Sequence, residues 1–305
     1  MTGSALTASA LTGSAVTAGW DLVAGFREMW ALPFMVNAFR VGTATALLAG
    51  VTGWFMVARR QTFAGHTLSV VGFPGAAGAV LIGAPVWAGY LAFTTATALV
   101  LGLGSHRQDR ARGVSTDADG GGEGDGALIG TVQAFALACG FWFVALYAGL
   151  LGGTTSLLFG SFLGITAGQV QFLTGVTVLV LVAMAVLGRR LLFATVDPVV
   201  AQARGVPARG TNLLFLLLLA VTVAATVQVT GALLVFALLV LPAATAQRLT
   251  ARPGLAVALS ALIATVVVWV ALTVAFSSPY PFGFWLSTLA FGGYVLAVIG
   301  GWLRR

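Results

Sequence analysis

The chain has 305 residues, 59% of them apolar and only 8% charged, and a mean hydropathy of +1.02. A soluble domain carries about 25% charged residues, so this composition belongs to a polytopic membrane protein. All 15 basic residues are arginine; a Walker A lysine, a Schiff-base lysine and a lysine general base are excluded, and any ATP that drives this chain is hydrolysed on another one.

Residues 1–34 are small and polar, then mixed, and read as an extracytoplasmic or interfacial segment. No basic n-region precedes an apolar run, so a cleavable signal peptide is not expected. LVAGFREMWALPF (22–34) fits a short interfacial helix, with Trp20 and Trp30 as belt residues.

A span needs about 20 apolar residues. Apolar runs fall at 35–58, 66–83, 85–104, 127–151, 169–187, 212–230, 231–249, 254–276 and 283–303. The run 152–168 is interrupted by Gly152, Gly153, Gly160, Gly164 and Gly168 and reads as a broken or re-entrant piece. The expected fold is all-α, with about eight to ten transmembrane helices, some broken or re-entrant, over residues 35–303. Arg40, inside the first span, is expected to snorkel to the near interface.

The other arginines of this region set an orientation. Arg59 and Arg60, Arg107 to Arg112, Arg189 to Arg209, Arg248 and Arg252, and Arg304 and Arg305 follow alternate spans. All fall on the cytoplasmic side if the N-terminus is outside. The net charge of +7 is therefore membrane topology and not a nucleic-acid-binding face.

The loop 105–126 holds five of the eight acidic residues and many glycines and is expected to be disordered. Its D-x-D-G-x-x-E pattern lacks the register of a calcium-binding loop. Cys139 cannot form an internal disulfide and reads as a small buried hydrophobe.

Three stretches carry the functional signal. RRQTFAGHTLSVVGFPG (59–75) places His66 a few residues into an apolar run, followed by Gly72, Pro74, Gly75 and Gly78. Glycine and proline suggest a broken span, a device that places free backbone groups at a binding site. DPVVAQARGVPARG (197–210) begins with a good helix start and reads as a short helix or a plain surface loop between two spans. VQVTGALLVFALLVLPAATAQRLT (227–250) is framed by Gly231 and Pro242 and ends in small residues suited to close helix packing.

Taken in this order, these stretches resemble the permease subunit of the zinc/manganese (metal-chelate) family of ABC importers. LLVLPAATA with DPVVAQARGV is the most specific pair, LLFGSFLG supplies the middle motif, and the likeness runs from about residue 35 to 303. It implies that 197–206 is a coupling helix, with Asp197, Pro198, Ala201, Gly205 and Val206 meeting an ATP-binding cassette subunit. It implies two paired permeases, identical or paralogous, and an extracytoplasmic binding protein delivering zinc first, manganese or iron next. No tightly bound cofactor is expected. The polar candidates along the path are His66, Ser69, Ser161 and Gln228.

The departures from the family pattern fall on its polar positions. His66 stands where the family has aspartate, Val70 where it has histidine, and Ser161 where it has aspartate. The expected spans hold no Asp or Glu. Three readings of His66 stay open: a weak metal ligand, a lining residue on the path of a chelate or organic solute, or a structural residue near the interface. One imidazole cannot hold a divalent ion alone, though it suits zinc better than manganese. A secondary transporter is the rival outside this class; the spans lack the carboxylates of a proton relay.

Overall fold

The computed structural model describes residues 29–112, 123–146, 164–196, 200–201, 204 and 207–303. Nine helices of 18 residues or more lie among these residues: α1 (Pro33–Ala58), α2 (Thr62–Leu81), α3 (Val86–Arg112), α4 (Glu123–Leu146), α5 (Ala167–Val196), α6 (Ala208–Thr230), α7 (Ala232–Leu249), α8 (Pro253–Ser277) and α9 (Phe282–Leu303). Eight of them are long and apolar enough to cross a bilayer; α7 is the shorter one. The chain is an all-α, multi-pass membrane protein.

The ends of the helices follow from local chemistry. Pro33 and Pro253 open α1 and α8, where a missing N–H leaves no hydrogen bond unmade. At the end of α1, Arg60 adopts a left-handed φ of 56°. The amide of Arg60 donates to Val57 O (3.1 Å) and that of Gln61 to Met56 O (3.0 Å), a Schellman turn. Gly231 (φ 81°, ψ 159°), in a region only glycine enters easily, ends α6 and starts α7.

The helices α1 and α2 form the centre, each 72% buried over its apolar window, and α4 is the most peripheral at 11%. Helix α1 packs on α8, α7, α5 and α6, and α2 lies between α3 and α4. Two crossings bring backbones into contact. A Cβ on Gly89 would strike the Gly75 carbonyl, and one on Gly53 would strike the Leu239 carbonyl. At a third, the Ser260 hydroxyl donates to Gly50 O at 2.7 Å, fully buried.

Several expectations need correction. Helix α2 is continuous through Pro74, with no break at 66–78. Gly75 is a packing residue: it lets α3 approach α2 through Gly89. Pro242 likewise lies inside a continuous α7, and the interruption in 228–246 is at Gly231 alone. Residues 105–112 and 123–126 are helical, where the glycine-rich, charged composition of 105–126 predicts disorder. A helix already nucleated in the apolar run extends at one hydrogen bond per residue, and Arg, Gln and Ala favour it. Cys139 is half-buried, because it lies on the peripheral helix α4. The 152–168 piece falls outside the described residues up to 163, as does Trp20; of the 22–34 helix, only 29–34 is described.

Candidate functional site

His66 sits just over a turn into α2 and is half-buried. Its ring meets the edge of Phe236 on α7, with centroids 4.8 Å apart. Its Nδ1 is enclosed and has no hydrogen-bond partner. Ser69 is buried, and its hydroxyl donates to His66 O at 2.7 Å. The hydroxyl is therefore engaged with the helix backbone. Gln228 lies on α6, and its amide donates to Ala224 O of the same helix at 3.0 Å. Its neighbour Val227 lies against Gly72, six residues past His66 and so about 9 Å further along α2. His66 and Gln228 thus stand at different depths and do not form one cluster. Ser161 lies outside the described residues.

No group of three or more His, Cys, Asp or Glu that could hold a metal occurs among the described residues. The geometry here is an imidazole against an aromatic wall, with an unengaged nitrogen. It can offer one neutral donor or carry a proton.

Of the coupling positions, Ala201 is described: it is buried, 2% exposed, in a helical turn where the Arg204 amide donates to Val200 O at 3.0 Å. Asp197, Pro198, Gly205 and Val206 lie outside the described residues. Beside this turn a cavity of about 530 Å³ is lined by Leu187, Arg190, Arg204, Pro207 and Thr211. The Arg204 guanidinium stacks over Phe193 at 5.6 Å. Arg40 is exposed on α1.

A second polar group was missed by the sequence reading. Six buried side-chain polar atoms lack partners among the described residues; four lie between 54 and 66, on Trp54, Arg59, Gln61 and His66. Arg59 donates to Thr195 Oγ1 (3.4 Å) and Asn212 Oδ1 (3.2 Å), and lies over the Phe215 ring at 5.3 Å. Gln61 donates to the same Asn212 oxygen. Burial pulls the Arg59 pKa below its ordinary value. The one hint in the sequence was Asn212, a lone amide at the head of a strongly apolar run.

A family model described as the ABC 3 transport family matches residues 31–301, from just before α1 to the last turns of α9. The chain belongs to the ABC 3 transport family. Among family relatives, the manganese transport system membrane protein MntC of Halalkalibacterium halodurans is 29% identical over 244 residues, 79% of this chain and 78% of that one. The manganese import system permease protein ScaB of Streptococcus parasanguinis is 29% identical over 220 residues, 70% of this chain and 71% of that one. In structure, PsaBC from Streptococcus pneumoniae, solved with a Fab, superposes with a TM-score of 0.77 at 21% identity, covering 90% of this chain and 94% of that one. That likeness establishes the fold.

Proposed function

We propose that this ABC 3 family permease carries a divalent metal ion into the cytoplasm as the membrane subunit of an ATP-driven importer. The observation that carries this reading is the family match across 31–301, joined by relatives named for manganese transport and manganese import that match over most of their length. ATP hydrolysis falls to a separate cassette subunit, which fits a chain without lysine. That subunit docks on the 197–206 segment, a second permease copy or a paralogue completes the path, and an extracytoplasmic binding protein delivers the ion. The N-terminus is outside and the C-terminus cytoplasmic, as the arginine clusters suggest.

The sequence reading placed zinc first. The manganese relatives move manganese ahead of it; the His66 imidazole keeps zinc second. His66 contacts the ion in passing, since release requires weak coordination. A chelate of the metal is the second reading, favoured by the absence of Asp and Glu from the spans. Whole-cell uptake of radiolabelled manganese and zinc tests both. A deletion strain should lose uptake of one free ion, wild type should restore it, and His66→Ala should restore little. Uptake that is lost only when the ion is supplied as a chelate selects the second reading. Unchanged uptake in the deletion strain refutes both.

A further inference from the structure

The Arg59 group joins three parts of the chain that are far apart in sequence. Thr195 lies two residues before the 197–206 segment, at the end of α5, and Asn212 lies six residues after it, near the start of α6. Arg59 holds both with one guanidinium, one amino group on each. The Thr195 hydroxyl donates to Leu191 O at 2.6 Å, which leaves its oxygen lone pairs to accept from Arg59. The Asn212 carbonyl oxygen accepts from Arg59 and from Gln61, the residue that precedes α2. The Schellman turn at Arg60 fixes the spacing of these two donors. Phe215 covers the guanidinium from the α6 side.

Resting on the importer reading above, we propose that Arg59 and Asn212 form the link that carries movement of the 197–206 segment to α2 and His66. In this proposal a shift of that segment moves one or both of its flanks, the end of α5 and the start of α6. Either shift pulls on Arg59, and through the shared Asn212 oxygen on Gln61 and the head of α2. His66 follows five residues after Gln61 on the same rigid helix. The partners seen on Arg59 are neutral acceptors. Neutral acceptors can be exchanged during a stroke, where a buried carboxylate would lock the cation in one position. Arg59 and Asn212 are positioning residues in this account; they do not touch the cargo.

The test uses the complete transporter, with its ATPase and binding protein, in proteoliposomes. It measures radiolabelled manganese imported per ATP hydrolysed. Asn212→Leu removes the acceptor, and Asn212→Gln keeps a neutral one. Asn212→Leu should lower the ratio at least about fivefold with hydrolysis held within about twofold, the low end of a coupling effect, and Asn212→Gln should keep the wild-type ratio. A purely structural role would lower import and hydrolysis together. An unchanged ratio in Asn212→Leu, or equal losses in both variants, overturns the proposal. If Asn212→Leu does not assemble, Thr195→Val against Thr195→Ser decides on the same criteria.

A second readout is independent of the cargo. Spin labels on Ile82→Cys, at the far end of α2, and Phe291→Cys on α9 occupy exposed sites, 77% and 60% exposed, in a Cys139→Ala background. Their separation should change on ATP binding in the wild-type complex and stay fixed in Asn212→Leu. If Asn212→Leu moves like wild type, the link is refuted whatever the ion. If wild type imports no manganese yet shows the ATP-dependent change, the cargo assignment has failed and the link stands.

Discussion

Gly89→Ala tests one of the close helix crossings in the protein's centre. Gly75 and Gly89 face each other across α2 and α3 with no room for a side chain. A Cβ on Gly89 would lie 2.7 Å from Ala79 Cβ and closer still to the Gly75 carbonyl. Ordinary contact starts near 3.4 Å, so the helices must part by at least 0.7 Å. A gap of that size forfeits about a quarter to a half of each atom-pair attraction along the seam. For a seam with about as many pairs as one buried leucine makes, the loss is about 1–6 kcal/mol, with the roughly 1–3 kcal/mol typical of overpacked cores at its lower end. Helix propensity works the other way, by up to about 1 kcal/mol in favour of alanine. Gly130→Ala isolates that opposing term, because nothing lies within 4 Å of its Cβ position in α4. Unfolding in increasing SDS fraction, followed by circular dichroism, should show Gly89→Ala clearly less stable than Gly130→Ala. Equal stability of the two variants would refute the packing argument.

Four further effects are expected. Ser260→Ala removes a fully buried hydroxyl bond to Gly50 O and should cost about 0.5–1.5 kcal/mol in the same assay. Arg60→Gly should stabilise by up to about 1 kcal/mol, since it relieves a left-handed non-glycine residue. Gly231→Ala should destabilise by about 1–3 kcal/mol, because its φ of 81° with ψ of 159° is strained for any side chain. Half-buried Cys139 on the peripheral helix should react with a lipid-soluble maleimide and resist a membrane-impermeant one, read by mass shift.

The fold was largely legible because hydropathy reports lipid contact directly. The ends of α1, α6, α7, α8 and α9 fall within a few residues of the apolar runs. Helices α3 and α5 ran past theirs into arginine-bearing sequence, where hydropathy falls but helix propensity does not. The glycines around Pro74 misled for a physical reason. A glycine that frees the backbone and a glycine that admits a neighbour look the same in one sequence; Gly89, on another helix, decides between them. The candidate site was legible only at His66. Ser69 and Gln228 were flagged as polar, but their bonds to their own helices depend on rotamers that sequence does not encode. Arg59 read as a topology signal alone. Its partners lie 136 and 153 residues away, and nothing local announces them.

Total cellular manganese, zinc and iron in a strain lacking this gene, grown in chelator-limited medium and measured by mass spectrometry, tests the central claim most directly. The account requires one metal, manganese before zinc, to fall on deletion and to recover with the wild-type gene. Unchanged levels of all three metals would contradict it.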